Sequence, residues 1–477
     1  MRPVIVWIRR DLRTDDHTAL VHAARTGAPV VPLFVFDRTL IRNLPSDGAA
    51  FDFQAAALRE LEGAIAALGG RLIVRHGEVL EVHEELIRET GPAALYYNRD
   101  YEPAARERDA RVDRLYRSRG VDVSTFKDAV LQEPEEVLTP DGRPYVVFTP
   151  FAKTWKRLPA PLPLGKPKRF SSPPLRSDPI LGAAELKRAA GIAEPGFTGG
   201  ASHATKAWRA FLRHRAAAYG NGRDLPGVPG TSRMSPYLRF GCISPRRMVE
   251  ECTGLAGGLP ADGRASVEKY VDELIWREFY QAVLWHFPRL LESNYRREFD
   301  RMPWSRDEET FAAWREGRTG FPLVDAGMRE LNRTGWMHNR VRMVTASFLT
   351  KDLMHDWRAG ARVFEEKLLD IETASNIGGW QWSASTGVDP RPLRIFNPRL
   401  QAERYDPDGA YIRRFVPELE RVPARYIHAP HEMPTAVQAE AGCRIGRDYP
   451  APIVDHSAAA AGYKEVFARM KRGTVSP

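Results

Sequence analysis

Cysteine is nearly absent: Cys242, Cys252 and Cys443 are the three in the chain, far apart and without CxxC spacing. That excludes a disulfide framework and a four-cysteine zinc or iron–sulfur centre, and it points to a reducing cytoplasm. No run of 18 apolar residues exists, so no membrane-spanning helix is expected. The opening Met1–Arg10 has too short an apolar stretch for a secretory signal. The phosphate- and dinucleotide-binding patterns GxGxxG and GxxxxGK[ST] are missing, as are GxSxG and HExxH, which argues against a dehydrogenase, a P-loop enzyme, a serine hydrolase or a zincin. No internal repeat is visible. Acidic residues fall short of basic ones, 61 Asp plus Glu against 70 Lys plus Arg, for a net charge of +9. A polyanionic partner is compatible with that balance but is not demanded by it.

What remains is a 477-residue chain, 43% hydrophobic, long enough for two or three domains. Short apolar runs at Val4–Ile8, Val30–Phe36, Arg71–Val74, Ala93–Tyr97 and Val121–Phe126 alternate with stretches of helical spacing such as Ala49–Leu68. Nearly continuous Val, Ile, Leu and aromatic runs suit parallel strands covered on both faces. The expected fold is an α/β N-terminal domain with a parallel, Rossmann-like sheet, joined by a long linker to an all-α C-terminal domain. The divisions expected are 1–130, 131–200 and 201–477, the linker being marked by Leu158-Pro-Ala-Pro-Leu-Pro and Ser171-Ser-Pro-Pro174.

Eight of the eleven tryptophans lie between Trp276 and Trp382, which for any one of them reads first as core. Helical phase discriminates further. Val267, Tyr270, Val271, Leu274 and Ile275 form one apolar stripe, and Glu273, Trp276, Arg277 and Tyr280 share the other side. A carboxylate beside an indole off the core stripe suggests a lining; a helix buried all round is the alternative. In the helix through Trp336–Val344, Met337, Val341, Val344 and Phe348 make the core stripe, and Asn339, Arg342 and Met343 share another face. A buried Arg342 needs an anion, either Asp370 or a ligand phosphate; a solvated face is the alternative. Thr231, Ser232 and Ser235 offer hydroxyls near a helix start, which suits a phosphate and equally an ordinary cap. Gly378-Gly379 allows a flat group to approach the backbone.

These segments together resemble the photolyase/cryptochrome family, nearest its class I cyclobutane pyrimidine dimer photolyases. The resemblance is carried by Val4-Ile-Val-Trp-Ile-Arg-Arg-Asp-Leu-Arg13, Thr231-Ser-Arg-Met-Ser235, Glu273-Leu-Ile-Trp-Arg-Glu-Phe279, Trp336-Met-His-Asn-Arg340, Gly378-Gly-Trp-Gln-Trp382 and Arg394-Ile-Phe-Asn-Pro398. It implies an N-terminal antenna-chromophore domain and a helical domain holding FAD. The flavin set it implies is Tyr219, Thr231, Ser232, Arg233, Met234, Ser235, Tyr270, Arg277, Asn339, Arg342, Asp370, Ile371, Glu372 and Asn376, with Arg342 and Asp370 paired beside the ring and Asn376 facing N5. Glu273, Trp276, Met343 and Trp382 match the residues that meet a flipped-out dimer, and Trp304, Trp357 and Trp380 the electron chain. Arg223, Glu273, Trp276, Tyr280, Asn339, Arg340, Arg394 and Gln401 match DNA contacts. The implied activity is light-driven splitting of pyrimidine dimers in UV-damaged DNA, single or double stranded, by a cytoplasmic monomer. The rivals are a blue-light receptor of the same family and a basic nucleic-acid-binding protein with a structural tryptophan core.

Several features separate members of the family. Asn339 and Met343 stand where (6-4) photolyases carry histidines. Asn376 is kept, where many signalling cryptochromes carry a carboxylic acid or cysteine, and no long C-terminal tail follows the helical domain. Departures are Glu372 in place of the usual Asp, Ile377 in place of a common Asn, and a shortened 383–393 stretch containing Pro390, Arg391 and Pro392. For the antenna, the folate-binding branch carries an Asn-Glu pair where this chain has Ala104 and Ala105 after Tyr101-Glu102-Pro103. A deazaflavin or flavin antenna is therefore expected rather than folate, in a crevice at the strand ends lined by Arg10, Asp37 and Asp100, unless that crevice is purely structural.

Overall fold

The computed structural model describes residues 1–38, 49–182, 184, 196–389 and 393–472. The chain divides into two compact units, Met1–Gly191 with Phe197–Ala217 and Ser232–Pro288, and Ile192–Gly196 with Ala218–Thr231 and Arg289–Pro477.

The first unit is built on five parallel strands, β1 (Val4–Ile8), β2 (Val30–Asp37), β3 (Ile73–Gly77), β4 (Ala94–Asn98) and β5 (Asp122–Phe126), in the order β3-β2-β1-β4-β5. The central β1 is buried at all five positions, as its unbroken apolar run requires, whereas no residue of edge strand β5 is fully buried. Helices α1 (Thr18–Arg25), α2 (Ala49–Ala67), α3 (Val79–Thr90) and α4 (Pro103–Ser118) complete the βα alternation. Val79 and Leu86 of α3 and Val112 and Tyr116 of α4 close over Ile5, Trp7, Leu33 and Leu95. The third strand begins two residues later than its apolar run, because the Arg71 amide is taken by Ser172 Oγ at 2.9 Å and the ladder starts at Leu33 against Ile73.

The proline-rich segment has no regular structure over its described residues, yet it is tied down. Ser171 accepts from the Val30 amide and Val74 from the Asp178 amide, each at 2.8 Å, while Ser177 Oγ accepts from the Val74 amide. Phe170 packs where Gly70 has no side chain; a Cβ there would lie 2.2 Å from the ring. Five further helices belong to this unit: α5 (Phe148–Trp155), α6 (Ala201–His214), α7 (Ser235–Arg239), α8 (Pro245–Gly257) and α9 (Ala261–His286).

The second unit is helical over its described residues. A single turn at Tyr219–Gly222 precedes α10 (Glu308–Glu316), α11 (Pro322–Thr334), α12 (Asn339–Ser347), a π-helical turn at Phe348–Asp352, α13 (Trp357–Lys367), α14 (Thr373–Ser383), α15 (Pro398–Tyr405), α16 (Ala410–Phe415), α17 (Thr435–Ala441) and α18 (His456–Lys471). Boundaries follow local chemistry: Asp356 caps α13 through the Arg358 amide, and Gly335 ends α11 at φ 65°. Among the described residues no helix is long and apolar enough to cross a membrane.

Candidate flavin and nucleic-acid site

In the first unit, α9 carries the face singled out by its phase. Val267, Tyr270, Leu274 and Ile275 are buried, while Glu273, Trp276, Arg277 and Tyr280 are half-buried. Phe148 of α5 lies flat on the Trp276 indole, with ring centroids 3.7 Å apart and planes within 5°. One face of that indole is therefore occupied from within the protein. Glu278, one turn along, accepts from the Leu131 amide (2.6 Å), the Gln132 amide (3.2 Å) and Trp155 Nε1 (2.5 Å). Burial pushes its carboxyl up to about 7 against those three donors. Arg277 donates to the Ala129 carbonyl at 2.6 Å, which further fixes the rotation of α9.

Ser232 Oγ lies 2.9 Å from Tyr270 Oη and accepts from the Met234 amide at 3.3 Å. Arg233 adopts φ 56° and lays its guanidinium 4.7 Å from the Phe197 ring centre. Met234 is buried and Ser235 exposed at the start of the five-residue α7. The turn thus presents hydroxyls and amides without a long helix behind them.

In the second unit, Arg342 of α12 donates to Asp370 Oδ2 at 2.8 Å and to the Met337 carbonyl. Asp370 is buried, and its Oδ1 has no hydrogen-bond partner among the described residues. The Asp370 carboxylate is one of the two anions considered for Arg342. Asn339, exposed, reaches Met343 Sδ at 3.9 Å, so these two share a face as their spacing requires. Asn376 of α14 is buried and donates to the Ala361 carbonyl at 3.1 Å; Glu372 is buried at the start of that helix and Ile371 is half-buried before it. His338 caps α12 through the Arg340 amide, and burial lowers its imidazole to about 4, so it is neutral.

The three tryptophans that the resemblance matches to an electron chain occupy different environments. Trp380 is buried edge-on to Trp314 and Phe364. Trp357 is fully buried and donates to Asn294 Oδ1 at 2.9 Å. Trp304 is half-buried against the Phe299, Met302, Tyr463 and Phe467 cluster. Trp382 points elsewhere than Trp380, as positions two apart on one helix must, and lies half-buried near Phe396.

Arg223 and Arg340 converge on one carboxylate, Asp224, at 3.8 Å and 2.8 Å, and Arg340 also covers the Tyr405 ring. Tyr219 is buried beneath the Arg223 guanidinium. Gly222 and Gly230 bring this segment back on itself; a Cβ at Gly230 would lie 2.1 Å from the Gly222 oxygen. Gln401 is half-buried, and the exposed Arg394 accepts through its carbonyl from Lys351. Pro390, Arg391 and Pro392 lie outside the described residues.

At the carboxyl ends of β1 and β4, where the strand order reverses, Arg10 reaches Glu102 at 2.8 Å and Asp100 at 3.6 Å. Asp37 ends β2. Tyr101 and the Arg106 guanidinium both pack on Trp285, the latter 3.5 Å from its ring centre.

Sequence reasoning missed Phe148, Asp224 and Glu278. Phe148 and Asp224 lie outside the motifs, and only their partners' need for a stacking surface and a counter-ion could have pointed to them. Glu278 sits inside a motif on the buried side of α9, where a lone carboxylate was itself a signal.

Residues 4–168 match the family described as DNA photolyase, and residues 270–470 the FAD binding domain of DNA photolyase. The deoxyribodipyrimidine photo-lyase of Agrobacterium fabrum is 38% identical over 99% of both chains. A bacterial class III photolyase from Agrobacterium tumefaciens superposes with a TM-score of 0.91 at 37% identity, covering 99% of this chain and 98% of that one. An archaeal photolyase from Sulfolobus tokodaii, solved with two FAD molecules, gives 0.82 at 32% identity over 98% and 100%. The resemblance to class I motifs and the likeness to a class III structure meet at the level of the family. A parallel α/β sheet, a helical FAD-binding region and full-length identity of this order lead to one conclusion: the chain belongs to the DNA photolyase family.

Proposed function

We propose that this protein is a deoxyribodipyrimidine photo-lyase, a light-driven carbon–carbon lyase acting on cyclobutane pyrimidine dimers in DNA. The observation that carries the reading is the Arg342–Asp370 pair, one oxygen of a buried carboxylate held by the guanidinium and the other left as a free acceptor. An unsatisfied buried acceptor is costly unless a ligand donor meets it, and a flavin ring edge is such a donor. Bound there in its reduced form, FAD would supply light-driven one-electron chemistry.

The remaining roles belong to the chain. In the first unit, Ser232, Arg233, Met234, Ser235, Tyr270 and Arg277 are assigned to the cofactor. In the second, Tyr219, Thr231, Asn339, Arg342, Asp370, Ile371, Glu372 and Asn376 are. Trp276 offers the indole face that Phe148 leaves uncovered to the flipped-out bases, and Trp382 and Met343 add apolar surface. Glu273 hydrogen-bonds the edge of the flipped-out bases and fixes their position. Arg223, Arg340 and Arg394 meet phosphates, and Tyr280, Asn339 and Gln401 polar groups of the strand. Trp304, Trp357 and Trp380 carry electrons from the surface. Residues 1–130 serve as the antenna domain, 131–200 as a linker and 201–477 as the catalytic domain, a functional division that differs from the compact units, since residues 201–217 and 232–288 pack in the unit that holds the sheet. The antenna, where one is held, is a deazaflavin or flavin assigned to the Arg10, Asp37 and Asp100 crevice; the archaeal relative solved with two FAD molecules supports a flavin as the second chromophore. The enzyme acts as a cytoplasmic monomer on single- or double-stranded DNA.

The test is light-dependent repair of a dimer-containing oligonucleotide by the purified flavoprotein. Flavin photoreduction without repair would favour the blue-light receptor, and a colourless protein without flavin bands the structural tryptophan core.

A further inference from the structure

A cleft of about 680 Å³ opens in the first unit, away from every residue assigned above. Its walls are α2, α6 and the loop after β1, with Lys166 of the proline-rich segment at the rim. The volume falls in the range of small-ligand sites, roughly 300–1,000 Å³. Leu12, Leu61, Ala64, Ala201 and Ala210 give it an aliphatic floor.

The charge around that floor is lopsided. Two carboxylates line the cleft, and both are engaged. Glu60 accepts from the Ser202 amide (2.6 Å) and hydroxyl (2.8 Å) at the start of α6, and Asp15 pairs with Arg247 at 3.2 Å. Arg13 is spent on Asp128 and three carbonyls. Lys166, Lys206, Arg209 and Arg213 are exposed, and their side chains make no ion pair or hydrogen bond among the described residues. Lys206, Arg209 and Arg213 stand at i, i+3 and i+7, one stripe spanning about 10 Å of α6 at 1.5 Å per residue.

Four uncompensated cations converging on one concavity repel one another, and a bound polyanion relieves that repulsion. A carboxylate monoanion would answer only one of them. A chain of phosphates answers three in a row, and the aliphatic floor accepts an apolar body attached to it. Among the described residues no Trp, Tyr or Phe lines the cleft and His214 is its one ring, so it lacks the run of stacking platforms that a single-stranded nucleic-acid groove uses. We propose that this cleft binds a compact polyphosphate-bearing ligand, with Lys206, Arg209 and Arg213 on the phosphates and Leu12 and Leu61 beneath the attached group.

The experiment is calorimetric titration of the full-length flavoprotein with pyrophosphate and, separately, with ADP, in 50 mM and 500 mM salt. Binding of either probe to the wild type, weakened at least tenfold in K206Q/R209Q/R213Q and by the higher salt, is the expected result. Tighter binding of ADP assigns the ligand to the nucleoside polyphosphates, and equal binding assigns it to inorganic ones. The substitutions are surface changes, so the unfolding temperature and light-dependent repair should stay at wild-type values. No binding at millimolar probe, or binding unchanged in the triple variant, overturns the proposal. Loss of affinity for undamaged duplex in the triple variant, with no binding of either small probe, also overturns it in favour of a DNA contact.

Discussion

Gly360→Ala tests the packing of Trp380, proposed here as a relay residue, without replacing the ring itself. Gly360 sits one turn into α13, and a Cβ there would lie 2.2 Å from Trp380 Cη2, 2.5 Å from Cζ3 and 2.7 Å from Leu349 Cδ2. The indole has little room to retreat, since Phe364 and Trp314 stand edge-on to it at 5.0 Å and 6.1 Å. Two effects oppose each other. Alanine gains about 1 kcal/mol over glycine within a helix, and overpacking a tight site costs about 1–3 kcal/mol. The net is a loss of roughly 0–2 kcal/mol, a fall in Tm of a few degrees at about 2–4 °C per kcal/mol for a domain of this size. Gly462→Ala in α18 is the control, because its added methyl meets nothing within 4 Å; it should raise Tm. The assay pairs thermal unfolding with light-driven reduction of oxidised flavin by an external donor. Gly360→Ala should slow photoreduction and Gly462→Ala should not. If Gly360→Ala stabilised the protein like the control and photoreduced at the wild-type rate, the described contact and the relay role of Trp380 would both fail.

Trp380→Phe should abolish photoreduction while leaving repair by pre-reduced enzyme largely intact; equal loss of both would refute the relay assignment. Glu273→Ala and Trp276→Ala should each weaken dimer binding by about 1–3 kcal/mol with flavin content unchanged, and loss of FAD would make them structural residues. Glu278 has a folded carboxyl near 7 against an ordinary 4.5, so the unfolded chain ionises first as pH rises. Stability should therefore decline between about pH 4.5 and 7, by roughly 3 kcal/mol; Glu278→Gln should remove that slope in Tm measured against pH, and a persisting slope would assign it to other groups. Chromophores extracted from protein made in a host supplying both pigments should include a deazaflavin or flavin, and stoichiometric folate would overturn the antenna reading.

The parts legible in the sequence were those governed by local periodicity. Strands β1, β2 and β4 follow from nearly continuous apolar runs, β3 and β5 only overlap shorter runs interrupted by Arg75, His76, Asp122, Ser124 and Thr125, and the two faces of α9 and of α12 follow from helical phase. The need of a buried Arg342 for an anion was legible, but spacing left Asp370, a ligand phosphate and a solvated face open, and the family resemblance supplied the pair. What could not be read were partners distant in sequence. Phe148 and Trp276 are separated by more than a hundred positions, and neither residue type nor spacing announces a stack. The late start of β3 depends on a serine about a hundred residues away, in a segment whose composition spoke only of irregularity. Phase likewise placed Trp380 and Trp382 on different sides of α14, but the neighbours of each came from α10, α13 and the chain before α15.

The irregular segment that accompanies β3 bears on how the sheet ends. An outer strand normally presents a row of unpaired amides and carbonyls that a second molecule can join. Here the Val74 amide and carbonyl are already occupied by Ser177 and Asp178, and the His76 amide by Asp178. Pro173, Pro174 and Pro179 have no N–H to offer outward. The segment therefore terminates the sheet, since its own far side is a poor template for another strand. Shortening it, or replacing its prolines with residues that can donate, would turn a finished margin into an adhesive one, and the damage would be aggregation rather than lost chemistry.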